Sequence, residues 1–122
     1  MLINLSNHPS SNWSANQTSE ALRLYGDIVD LPFPQVDPYA DENKIQALAT
    51  QYAAKVSAMA GDMPTTIHLM GEMNFTFALV ALLQKAGFSC VASTTQRIVN
   101  EFPNGRKEVQ FQFVRFRKYP QL

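Results

Sequence analysis

The sequence predicts an α/β fold of three layers, a mostly parallel sheet between helices with an antiparallel hairpin added near its end. Short β-branched and aliphatic runs alternate with segments whose apolar residues recur every three or four positions, which is the rhythm of strand–helix–strand units. The chain then closes with two extended segments on either side of Asn104-Gly105, a hairpin signal. Its 122 residues, 46% of them hydrophobic, suffice for one core and are too few for two. The expected organisation is one domain over residues 1–122, with a core over 1–96 and a hairpin over 97–119.

Leu2 to Leu5 reads as the first strand, followed by a turn-rich loop from Ser6 to Trp13. Ser14, with Gln17 three residues on, has the capping-box spacing of a helix start. Thr18, Ala21, Leu22 and Tyr25 then share a face, and Gly26 supplies a left-handed cap. Ile28 to Leu31 is the second strand, ended by prolines. Either Asp37 or Asp41 caps the next helix, whose buried side carries Ile45, Leu48, Ala49, Tyr52, Val56 and Met59. Thr65 to Met70 is the third strand. Phe75 to Leu83 is apolar on nearly every face, which predicts a helix covered on both sides, as at a subunit interface. Phe88 to Ala92 is the fourth strand, expected to end at Ser93-Thr94-Thr95. In the last strand the apolar side switches near Phe113 and Val114, implying a bulge or a strand passing between two layers.

Bulk charge narrows the function. Ten basic and ten acidic residues cancel, whereas a protein that coats long nucleic acid carries a basic excess. Any anionic ligand should therefore be small and locally held. Cys90 is the only cysteine, so no internal disulfide forms, and its apolar neighbours make it a small buried hydrophobe. No signal peptide is expected at the N-terminus, and no apolar run reaches membrane-spanning length, so the chain reads as cytoplasmic, with no membrane partner.

Ligands of open α/β sheets bind outside the carboxyl ends of the strands. That rule selects Ser6-Asn7-His8, then Gly71-Glu72-Met73-Asn74, then Ser93-Thr94-Thr95 with Arg97 just beyond. The Gly71 turn opens a helix whose free N–H groups would favour an anion. Each residue also has a plainer reading. His8 suits an exposed loop, and His68, mid-strand, suits a satisfied core position. Glu72 favours a helix start through the dipole. Thr94 and Thr95 could simply terminate a strand. Arg115 and Arg117 suit solvated charges, although arginines between aromatics also mark anion sites. Trp13 suits a hydrophobic staple, with base stacking as the alternative. No Gly-rich phosphate loop, metal-ligand motif or serine nucleophile elbow occurs, so an enzyme built on this chain should need neither metal, cofactor nor covalent protein intermediate.

Several of these segments together resemble the small CRISPR-associated ring nucleases. The resemblance rests on Gly71-Glu72-Met73-Asn74-Phe75, on Ala92-Ser93-Thr94-Thr95-Gln96-Arg97, and on Phe113-Val114-Arg115-Phe116-Arg117-Lys118-Tyr119. Asn4-Leu5-Ser6-Asn7-His8 is similar to that group's opening strand and Ser-His loop, with Asn7 inserted. Pro32 to Tyr52 has no counterpart. The resemblance implies a Rossmann-like (CARF-like) homodimer that binds cyclic oligoadenylate, the tetra-adenylate first among them, and cuts it by 2′-hydroxyl attack. It implies His8, Thr95 and Arg97 as catalytic residues. Ser6, Asn7, Gly71, Glu72, Asn74, Ser93, Thr94, Arg115 and Arg117 would contact the ligand. A binding module that sequesters the ring uncut, and a structural dimer, are the competing expectations.

Overall fold

A strand buried on both faces must lie inside a sheet covered from both sides. In the computed structural model, which describes residues 1–122, β1 (Leu2–Ser6) is buried along its whole length. It runs parallel to β2 (Ile28–Asp30) on one side and β3 (Thr66–Met70) on the other. β4 (Ser89–Glu101) continues the parallel set and β5 (Lys107–Lys118) pairs antiparallel with it, giving the order β2-β1-β3-β4-β5. The fold is thus α/β, with a mostly parallel five-stranded sheet.

Alternation along the strands sorts the core into two layers. Ile3, Leu5, Ile67, Leu69 and Cys90 point to α2 (Glu42–Ala60) and α3 (Met73–Lys85), where they meet Val56, Phe75, Leu79 and Leu83. Leu2, Val91 and Phe116 point the other way and meet Ala21 and Tyr25 of α1 (Ala15–Tyr25). The expected caps are present: Gln17 N–H donates to Ser14 Oγ at 3.2 Å, and Gly26 ends α1 at φ 90°. Of the two candidates for α2, Asp41 is the cap, accepting from Lys44 N–H at 3.0 Å, while Asp37 accepts from Tyr39 N–H within its own turn.

Two expectations are corrected. Ser93-Thr94-Thr95 does not end the fourth strand; β4 runs on through it, 13 residues long, so core and hairpin share one strand. Hydroxyl-rich residues look like a loop, but threonine is β-branched, and β5 pairs with this stretch throughout, so nothing stops the ladder. Leu22, placed on the buried face of α1, is 47% exposed, because one helix over a narrow apolar patch buries only its central stripe at Ala21. The expectation for α3 is a different case: Met73 and Phe77 face outward, so this chain covers one side of the helix and leaves the other to whatever a second subunit would supply.

The bulge lies where the apolar side switches. Thr94 pairs with Arg115 and Thr95 with Phe113, leaving Val114 as the extra residue. Phe113 and Phe116 thereby come to the same face, their rings 5.0 Å apart. In the hairpin turn only Gly105 has positive φ, and its N–H donates to Phe102 C=O. The loop is therefore a type I turn closed by a left-handed glycine, not a two-residue turn.

Gly71 is required for closeness. A Cβ there would fall inside the Phe33 ring, which is itself held edge-on against Phe75 at 5.2 Å. Gly71→Ala should lower stability by about 1–3 kcal/mol, the usual cost of overpacking. Urea denaturation would read this loss, and it should shrink in a Phe33→Ala background; an equal loss in both backgrounds would point to a different cause.

Candidate functional site

Two polar residues in the fully buried β1 pose the first question, since a buried polar group without partners costs several kcal/mol. Asn4 and Ser6 point to the α1 face, where Leu2 has already filled the apolar part. Asn4 answers its own burial with four hydrogen bonds. Its Nδ2 donates to Asp30 Oδ1 at 2.8 Å and to the His8 carbonyl at 2.9 Å. Its Oδ1 lies 2.8 Å from both Ser6 Oγ and His68 Nδ1. The register puts His68 beside Asn4 on β3, and the far ring nitrogen, Nε2, lies 3.1 Å from Ser93 Oγ on β4. A continuous polar chain therefore crosses four strands, from Asp30 through Asn4 and His68 to Ser93.

The His68 and Ser93 end of this chain, with Ser6, forms the floor of a cleft of about 670 Å³ at the carboxyl ends of β1 and β3 and beside the middle of β4. This volume is within the usual range for small-molecule sites. Ser6, His8, His68, Ser93 and Thr95 lie on the floor and near wall. Asn12, Trp13, Asn16 and Gln17, at the start of α1, form one side, and Phe111 and Phe113 of β5 form the other. No lysine, arginine, aspartate or glutamate lines the cleft. Its contacts are amides, hydroxyls, imidazoles and aromatic rings.

Packing holds the floor rigid. The His68 ring is 2% exposed and sits edge-on to Trp13 at 5.3 Å and to Phe116 at 5.6 Å. Trp13 Nε1–H donates to the His8 carbonyl at 3.2 Å, the same oxygen that Asn4 and Ser6 reach. Burial lowers the His68 pKa to about 4, with the nearby charge of His8 a lesser cause. The imidazole is therefore neutral at pH 7. Burial likewise pushes the Cys90 thiol up to about 12, so it is no nucleophile. Nowhere do three histidine, cysteine, aspartate or glutamate side chains converge as they would around a metal ion.

Of the residues selected from sequence, Ser6, His8, Ser93 and Thr95 meet in this cleft. Asn7 lines a smaller recess behind it, with Pro9 and Asp30. Arg97 lies one step further along the same face of β4, opposite Phe111. Thr94, Arg115 and Arg117 lie on the other face of the ribbon, away from Ser93 and Phe116, and Thr94 Oγ1 donates to the Arg115 carbonyl. Gly71 borders an apolar groove beside Phe77 and Tyr119, and Asn74 a recess beside Asp41. The α3 N-terminus is not free for an anion: the Glu72 carboxylate caps it, accepting from Asn74 N–H at 3.0 Å and Phe75 N–H at 2.8 Å. Asn4, His68 and Asp30, the polar chain itself, were not selected from sequence as site residues. The signal was there, since Asn4 and His68 each interrupt an otherwise apolar buried strand.

The model of the uncharacterized protein MJ1673 family matches residues 1–117, a span that includes every residue lining the cleft. The chain belongs to that family. No curated protein and no solved structure matches it.

His68 also makes stability depend on pH. Its ring takes a proton near pH 6.5 in the unfolded chain but only near 4 when folded, so acid favours unfolding between those values. Stability is complete above about pH 6.5 and should fall by about 2 kcal/mol between pH 7 and 5. Urea midpoints across that range should show the slope in the native protein and a flatter profile in His68→Gln.

Proposed function

We propose that the cleft binds a cyclic oligoadenylate and that the protein opens the ring without a metal. A ribose 2′-hydroxyl attacks the adjoining phosphate, leaving a 2′,3′-cyclic phosphate and a free 5′-hydroxyl. The observation that carries this reading is the site's position and lining. An uncharged cleft of amides, hydroxyls and aromatic rings sits at the carboxyl ends of the parallel strands, beside the point between β1 and β3 where the strand order reverses. Trp13, Phe111 and Phe113 offer faces and edges for adenines, and Asn12, Asn16 and Gln17 offer amides that match adenine's donor and acceptor edge. The strand-end and tail motifs that resemble the ring nucleases support the same reading, and the architecture is then Rossmann-like in the CARF manner.

Such a reaction requires alignment more than reagents, because the nucleophile belongs to the substrate. His8, exposed at the cleft mouth, is the candidate acid or base, and Thr95 the candidate phosphate contact. Arg97 supplies positive charge from the ribbon. The ribbon supports a second subunit: Val99, Val109 and Phe111 form an exposed apolar stripe on the cleft side of two strands with no layer over them. Isolated ribbons are marginal in water. A partner copy covering that stripe would also close the cleft.

One observation favours binding without cleavage as the second reading. The only titratable side chains in the cleft are His8 and His68, and His68 is buried and neutral.

Incubation with cyclic tetra-adenylate in EDTA separates the two readings. Linear products ending in 2′,3′-cyclic phosphate support cleavage, a stable complex without products supports sequestration, and neither result sinks both. Arg97→Ala should reduce turnover or binding at least about tenfold, as expected for loss of a charge-stabilising contact. Light scattering at micromolar concentration should report a dimer, and Phe111→Asp should shift it toward monomer; a native monomer would count against the shared cleft.

A further inference from the structure

The polar chain beneath the cleft has a direction, set by groups that only accept hydrogen bonds. The Asp30 carboxylate and the His8 carbonyl are both acceptors, and the same end of the Asn4 amide meets them, so that end is the NH₂. Asp30 is held in turn, its two oxygens accepting from the Ser10 N–H and Oγ–H. The Asn4 oxygen is thereby aimed at His68 Nδ1, 2.8 Å away. An amide oxygen donates nothing, so Nδ1 must carry the ring proton. The ring is neutral, and Nε2 is left with a lone pair.

Ser93 Oγ, 3.1 Å from Nε2, then has one role open to it: it donates. Its alternative acceptor is Met70 Sδ at 3.2 Å, a thioether and the weaker partner. The single hydroxyl proton of Ser93 is committed inward, and only lone pairs remain to face the cleft. Ser6 is set the same way: its proton turns inward, to Asn4 Oδ1 at 2.8 Å or the His8 carbonyl at 3.1 Å, and a lone pair is taken by His8 N–H at 3.2 Å. Acceptors on a cleft floor refuse phosphate oxygens, which are acceptors too, and take donors.

We infer that Ser93 is a specificity-determining residue that accepts a hydrogen bond from a ribose 2′-hydroxyl of the bound nucleotide, with its polarity imposed by Asp30, Asn4 and His68. This rests on the nucleotide reading of the cleft. It separates the roles within that site: the floor holds the 2′-oxygen by its proton, and phosphate charge is met elsewhere, at Thr95, Arg97 or the partner copy. A 2′-hydroxyl held as donor keeps its lone pairs free, which is the orientation attack on a neighbouring phosphate needs. It is also the feature that distinguishes RNA from DNA.

The test measures binding of cyclic tetra-adenylate and of its all-2′-deoxy counterpart to the full chain. The native protein should prefer the ribose ring by about tenfold or more, the scale of one buried hydrogen bond. Ser93→Ala should weaken ribose-ring binding and leave deoxy-ring binding unchanged, bringing the ratio near one, and Ser93→Thr, which keeps the hydroxyl, should restore the preference. A variant that merely misfolds lowers both affinities and leaves their ratio intact. If both rings bind the native protein equally, or the preference survives in Ser93→Ala, the Ser93 assignment is wrong while the cleft reading stands. If neither ring binds, the cleft reading fails and takes the assignment with it. Nitrogen-15 shifts of His68 give a check that needs no ligand: a protonated Nε2 would overturn the inference at its root.

Discussion

One amide, that of Asn4, joins more of this molecule than any other polar group. Its four hydrogen bonds reach β2 through Asp30, β3 through His68, the end of its own strand through Ser6, and the loop after β1 through His8. Side chains buried in a sheet are usually apolar because each polar atom must find a partner at a definite distance and angle. Here two of the partners, Asp30 and His68, are supplied by neighbouring strands in fixed register, so the network is satisfied only if β1, β2 and β3 pair as they do. The same bonds determine how His68 presents its ring, and hence what the cleft floor offers a ligand.

The walls of the cleft depend on a different constraint. Because β4 does not stop at Ser93, β4 and β5 extend past the body of the sheet as a two-stranded ribbon. Strict alternation would put Phe113 and Phe116 on opposite faces. The extra residue at Val114 returns both to the cleft side, where Phe116 packs under Trp13 and His68 while Phe113 borders the opening. The bulge thus ties the apolar base of the α1 layer to the aromatic rim of the site. The ribbon beyond it leaves an apolar stripe that this chain by itself does not cover.

Much of the framework was legible in the sequence because it is written in local chemistry. Ser14, Asp41 and Gly26 act where their backbone preferences say they should. Helical spacing located α2, and the displaced apolar side of the last strand announced the bulge. The polarity of Ser93-Thr94-Thr95 suggests a boundary where threonine β-branching favours a strand, and no local signal reveals that β5 pairs across it. Glu72 had two local readings, and only the positions of Asn74 and Phe75 N–H decided for the cap.

By itself, then, the sequence determined the order of elements, the helix caps and the layered α/β architecture, since these depend on residues close together in the chain. The tertiary structure decided which polar residues act together. Asn4 and His68 are 64 positions apart and His68 and Ser93 are 25 apart. Nothing local distinguishes a histidine that is merely satisfied from one whose satisfied nitrogen dictates the other. That difference comes from strand register, which brings an amide with one open orientation against an imidazole with two, and so selects a single tautomer.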